Sequence, residues 1–223
     1  MHAIPSVRPG PTRPALLMFL CLVSLAAFAS KDFTRPATKN AKAYPAHDEH
    51  ANEGVTVAID LYDFADKTAG VFSVRWNEEG YLPVFVVIQN DTDQPISLGN
   101  MEAQWVTARR DKISPATNED LYRRLSHVSG TGGPTIPLPI PRKPKGTVNK
   151  KAQDEISSAQ FGAKAVEPHS TQSGFMFFDV SGLDTPLPGA HFYLTGVSDA
   201  KGKELMYFDV AVEQYLSAPA GKN

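Results

Sequence analysis

The sequence predicts a mainly β domain, antiparallel and closed as a β-sandwich, with one or two short helices in its connections. Three observations point there. Apolar residues recur at period two, as in "VTVAIDL" at 55–61, the period at which side chains alternate between the faces of a sheet. Eighteen prolines and sixteen glycines in 223 residues demand frequent turns. No strand pattern is followed by a long helical one, which disfavours a parallel sheet built from crossover units.

The N-terminal stretch is unlike the rest. Arg8 and Arg13 precede an apolar run at 15–29 broken only by Ser24, and Ala27-Phe28-Ala29 offers an A-x-A cleavage site before Ser30. This run is shorter than the roughly twenty residues a spanning helix needs. Residues 1–29 therefore read as an export signal, with an uncleaved N-terminal anchor as the alternative. The sole cysteine, Cys21, lies mid-run behind Met18, Phe19 and Leu20, which is the wrong place for lipidation. The expected location is periplasmic or extracellular, with no stable membrane span after cleavage and no disulfide, so core burial alone must hold the fold.

Residues 30–54 are polar with little periodicity and read as a flexible leader. Within them "PAHDEH" at 45–50 sets His47 and His50 three apart around two carboxylates. The β-sandwich domain is placed at 55–216. Strands are expected at 55–62, at 71–76 ("VFSVRW") and at 81–90, where "YLPVFVVIQN" is apolar at nearly every position and so buried on both faces. After the turn "NDTDQP", "ISLGNMEAQWVTA" resumes the alternation with Met101, Ala103 and Trp105 on one face.

"PATNEDLYRRL" breaks the β pattern. Thr117 or Asn118 caps a short helix, Glu119 or Asp120 sits in its first turn, and Arg123 and Arg124 lie near its C-terminal end. Leu121 and Leu125 share a face. A Pro/Gly-rich insertion fills 126–151, with prolines at 134, 137, 139, 141 and 144 that forbid helix and ladder alike. A modest helical window follows, with Ala152, Ile156 and Ala159 or Gln160 on one stripe and Gly162 as the stop. The last third returns to strands in "SGFMFFDV", "GAHFYLTGV" and "KELMYFDVAVEQY", with Gly202 available for a positive φ in the turn before the last of them. Residues 217–223 read as a disordered tail. Seven or so strands in this order best match an immunoglobulin-like sandwich.

Two stretches carry a resemblance. "PVFVVIQNDTDQPISL" at 83–98 and "VEPHSTQSGFMFFDV" at 166–180 resemble a central strand and turn, and a later edge, of immunoglobulin-like modules of exported bacterial proteins of uncharacterised function. The resemblance implies the fold class and a bacterial envelope or secreted location. It brings no catalytic residue. The helix around Leu121 and the Pro-rich insertion depart from the plain module.

Chemistry is sparse. No G-x-S-x-G elbow, no cysteine beyond the signal and no phosphate loop occurs, so the chain reads as a non-enzyme without a cofactor. Asp60, Asp63 and Asp66 read as a solvated edge, since a calcium loop needs denser oxygen ligands. Net charge is −2 and gives no basic excess for nucleic acid. Arg109, Arg110, Arg123 and Arg124, with Tyr122 and Trp105, form the candidate binding surface, because arginine and aromatic side chains dominate contact hot spots. The plainer reading pairs these arginines with Asp111, Glu119 and Asp120. The basic run "IPLPIPRKPKG" at 136–146 is a further docking candidate. The expected function is an exported, non-catalytic module binding an envelope protein or a surface polymer. The alternative is metal binding or delivery through the histidines of the leader, to which Asp48 or Glu49 could add oxygen, although 45–50 lies in a flexible leader without an H-E-x-x-H or cysteine ligand and is read as a hydrated spacer.

Overall fold

The computed structural model describes residues 32–128 and 148–218. The expected export signal with Cys21, most of the Pro/Gly-rich insertion with its basic run, and the end of the tail lie outside the described residues. The protein is mainly β. Strands β1 (Ala46–His50), β2 (Val55–Leu61), β3 (Tyr81–Asn90) and β8 (Ser170–Asp179) form a sheet in the order β1-β2-β3-β8. Strands β5 (Glu102–Val106), β6 (Lys112–Ile113), β9 (His191–Thr195) and β10 (Phe208–Ala211) form a second sheet, ordered β10-β9-β5-β6. A small pair joins β4 (Ile96–Ser97) to β7 (Ala165–Val166), and every pairing is antiparallel. The helices are α1 (Ala65–Ala69), α2 (Asn118–Val128), α3 (Lys150–Ala159) and α4 (Glu213–Leu216). Among the described residues no helix is long and apolar enough to cross a membrane.

The alternation of β2 is realised in the packing. Val55, Val57, Ile59 and Leu61 enter a core shared by the two four-stranded sheets, where they join Leu82, Val84, Val86 and Ile88 of β3 and Trp105, Phe178, Phe192 and Phe208. The intervening residues of β3 and β8, including Tyr81, Phe85, Val87, Phe175 and Phe177, fill a second core on the opposite face of the first sheet. Leu121 of α2 and Ile156 and Ala159 of α3 cover that core. This is why β3 is apolar from Tyr81 to Ile88: both of its faces are buried. Helices α2 and α3 thus form a third layer over the first sheet, while the outer face of the second sheet meets solvent.

Three expectations are corrected. Val71–Trp76 is a run of turns, not a strand. Phe72 and Trp76 are four apart and both drop into the second core, a helical spacing. Phe72 N–H donates to Thr68 O, extending the turn of α1. The expected leader is structured from Asp32 onward: Phe33 packs on Phe72 and Phe175, Arg35 donates to the carbonyls of Ser158 and Ser173, Ala41 and Tyr44 are buried, and 46–50 form β1. The physical reason is the open edge of β2, which β1 pairs along its length. Finally, the last apolar stretch yields only Phe208–Ala211 as strand, and Glu213–Leu216 turns into α4. The turn before it does form, with Gly202 at φ +78° and its N–H bonded to Asp199 O.

The helix expected around Leu121 is present, and Thr117 caps it. The Thr117 hydroxyl accepts from Asp120 N–H at 3.2 Å, and the Asp120 carboxylate accepts back from Thr117 N–H at 3.1 Å. This is a reciprocal capping box with aspartate in the third position. The bonds from the Thr117 side chain and backbone, and then Arg123, hold the Asp120 carboxyl below its ordinary value. Thr117→Ala is expected to cost about 1 kcal/mol at neutral pH, measured by urea unfolding. Asp120 is the acidic partner in this cap, and its folded pKa is depressed. Its contribution is therefore present above the ordinary carboxylate pKa and lost as pH falls through the depressed value. The difference between wild type and Thr117→Ala should shrink at acid pH.

Candidate binding surfaces

Trp105, expected on a binding surface, is fully buried in the core between the sheets. Its ring lies 5.7 Å from that of Phe178, and its indole N–H donates to Pro186 O at 3.0 Å. The alternation that put Met101, Ala103 and Trp105 on one face was right, and that face is the inner one. Arg109 and Arg110 occupy the exposed turn between β5 and β6, where Arg110 adopts φ +69°. On α2, Arg123 is exposed and paired with Asp120, while Arg124 pairs with Asp179 at 2.6 Å and lies over the Tyr81 ring. Tyr122 packs against the second core. The arginines therefore divide between two recesses. Arg109 lines a small one with Asp111 and Asp184. Arg123 and Arg124 line a cleft of ≈ 450 Å³ with Tyr81, Pro115, Asp120 and Asp179, in which each guanidinium already faces a carboxylate.

That cleft adjoins another of ≈ 460 Å³, and Ser114, Pro115 and Ala116 border both. It exists because β6 pairs only with Trp105 and Val106, leaving Glu102–Gln104 without a neighbour on that side. Phe175 and Met176 of β8 lie across it, with Phe161 beside them. Glu102 is the one titratable side chain in its lining, so it carries no acid–base pair.

The histidines of 45–50 are fixed in place rather than hydrated spacers. His47 and His50 are an odd number apart on a strand, so they project from opposite faces. His50 stacks on Phe208 at 4.1 Å, with its Nδ1 3.0 Å from Glu53 Oε2. His47 Nδ1 lies 2.7 Å from Tyr44 O. Among the described residues no three His, Cys, Asp or Glu side chains converge on a point that would hold a metal ion. Neighbouring polar side chains also cap the facing edges of β1 and β10: Asp48 accepts from Asp209 N–H and Gln214 accepts from His47 N–H. Side chains thus block further strand addition at this seam. Asp60, Asp63 and Asp66 likewise do not converge. Asp60 pairs with Lys67 at 2.6 Å and Asp63 accepts from the Tyr215 hydroxyl at 3.0 Å. Burial and, secondarily, the Asp63 charge push the Tyr215 hydroxyl far above the ordinary tyrosine value.

The surface that sequence reasoning missed is the outer face of the second sheet. Phe192 and Leu194 of β9 point inward, so His191 and Tyr193 point out. The His191 and Tyr193 rings lie 5.9 Å apart and nearly parallel, and Tyr207 continues the row 6.1 Å from Tyr193. Tyr207 is 54% exposed and its neighbour Met206 67%. Polar groups flank the row in register: Gln104 on β5 and Asp209 on β10 both pair with Tyr193, and Glu102 pairs with Thr195. Asp209 accepts at 2.7 Å from His191 Nδ1 when that nitrogen is protonated. Partial burial, followed by the Asp209 charge, raises the Tyr193 hydroxyl. The signal was present in "HFYLT": its outward positions carry rings where a solvated face ordinarily carries polar chains.

No protein-family model matches the chain, and no curated protein does. Among solved structures it is similar to a conserved hypothetical protein from Bacillus anthracis. The two are 13% identical over 78% of this chain and 90% of that one, with a TM-score of 0.29.

Proposed function

We propose that the protein is an exported, non-catalytic module of immunoglobulin-like sandwich type that binds a surface polymer through the outer face of its second sheet. The observation that carries this reading is the solvent-facing row His191, Tyr193 and Tyr207. Exposed rings in a row are costly to leave in water, and they offer flat apolar faces to the apolar faces of sugar rings. Gln104, Glu102 and Asp209 alongside supply the few polar groups that orient such a ligand. Export is supported by the run at 15–29, and the sandwich by the core shared between two antiparallel four-stranded sheets.

Retention on insoluble polysaccharides tests the reading. Tyr193→Ala and Tyr207→Ala should each weaken retention by roughly 2- to 10-fold, the worth of one ring contact. Melting of Tyr207→Ala should be unchanged, since that ring is largely exposed. Equal retention of wild type and both variants sinks the proposal. So does capture of an envelope protein by this face with no polysaccharide held.

A further inference from the structure

We infer that the polymer taken by this face is an amino-sugar polymer bearing free ammonium groups. This rests on the polymer reading above and deepens it. The argument is charge complementarity along the ring row. Asp209 stands beside Tyr193 in register, its side chain 33% exposed. Glu102, exposed, stands on the other flank opposite Thr195. Around the Tyr207 end, Glu53 accepts from Met206 N–H and Asp48 accepts from Asp209 N–H. Glu204 accepts from Gly196 N–H, one residue beyond β9.

Asp209 and Glu102 thus flank the row on the strands beside β9, and Glu53, Asp48 and Glu204 bond backbone N–H groups one to three residues from Tyr207 or Tyr193. The cations nearby are fewer and lie further along. Lys112 pairs with Val106, which pairs with His191, so this cation stands at the His191 end of the row and away from Glu102, and Lys201 and Lys203 belong to the turn that bonds back to Asp199. His191 directs Nδ1 at Asp209, and His50 lies between Asp48 and Glu53. Each carboxylate has about four lone-pair positions and the bonds described take at most two of them, so acceptor capacity remains for an incoming N–H. Ring faces and ammonium groups also attract one another directly. A polyanion would meet the same carboxylates with repulsion, and a neutral polymer would meet them through hydroxyl donors alone, without charge pairing.

The test compares retention of the purified protein on chitosan, chitin and polygalacturonate, at a pH where the chitosan amines are charged. Retention on chitosan is expected to exceed that on chitin by about tenfold and to be lost at high salt. Glu102→Gln should weaken chitosan retention by about threefold and chitin retention by a smaller factor, whereas Tyr207→Ala should weaken both. Chitin held as well as chitosan, or polygalacturonate held better, overturns the inference and leaves the polymer reading standing. Chitosan retention that survives Tyr207→Ala is bulk adsorption of an acidic protein and overturns it too, as does a Glu102→Gln variant that behaves as wild type. No retention on any of the three removes the polymer reading and this inference together.

Discussion

Trp105→Ala is expected to lower the unfolding free energy by about 3–5 kcal/mol, read from the shift in urea midpoint at constant m-value. Trp105 is fully buried, it lies against Phe178, and its pair partner across β9 is Phe192. Alanine leaves a cavity at the meeting point of both sheets and removes the donor that Pro186 O receives. Trp105→Phe separates the two contributions. It restores most of the packing and leaves the carbonyl without its donor, so it should cost about 1–3 kcal/mol. A tryptophan that served a binding surface would behave oppositely, with alanine sparing stability and weakening ligand. A loss under 1 kcal/mol for Trp105→Ala would show that the core is not organised around it.

Glu155→Ala should cost about 1–3 kcal/mol, because it removes the acceptor of part-buried donors. Glu155 lies on α3 and is only 3% exposed. Its Oε2 accepts from Ser73 N–H at 2.8 Å and from the Ser73 hydroxyl, and Oε1 accepts from Val74 N–H at 3.3 Å. The carboxylate thereby ties the helical layer to the turns that carry Phe72 and Trp76 into the second core. Without it, two backbone N–H groups lose their partner while the apolar residues around them remain. Glu155→Gln keeps an acceptor but turns an amide N–H₂ toward the Ser73 donors, so its cost should fall between wild type and alanine. Thermal melting gives the magnitude, and proteolysis of native protein within 70–76 gives the location. Alanine that leaves both unchanged would mean that water replaces the carboxylate without penalty.

These two residues mark the limit of what the sequence tells. The period-two pattern of "VTVAIDL" needs no tertiary information, because it follows from side-chain alternation in any half-buried strand. The both-faces burial of β3 was legible for the same reason. The helix start was legible to within one residue, as Thr117 or Asn118, because capping signals are local, and the structure selects Thr117. Glu155 was not: its donors lie at sequence separations of 81 and 82, and in the amphipathic pattern of α3 it looks like an ordinary surface acid. Its bonds also explain the misread strand at 71–76. A stretch rich in Val, Phe and Trp promises a ladder, but here Ser73 and Val74 give their N–H groups to a side chain instead.

The candidate site divides in the same way. Residue types were read correctly, as arginine and aromatic positions, but their grouping was not. Arg109 and Arg124 lie in different recesses and Trp105 is internal. The exposed ring row draws on β9 and the residue just before β10, with flanking polar groups from β5 and β10 itself, so only the assembled sheet puts it on one surface.

By itself the sequence determined the β class, most strand positions and the helix around Leu121, since all of these depend on neighbours within a few residues. The tertiary structure decided which face of each strand is inside, that 46–50 complete the first sheet, and that His191, Tyr193 and Tyr207 meet in solvent. Those outcomes depend on pairings between segments far apart in the chain, where the burial of one sheet face against another selects a register that no local pattern encodes.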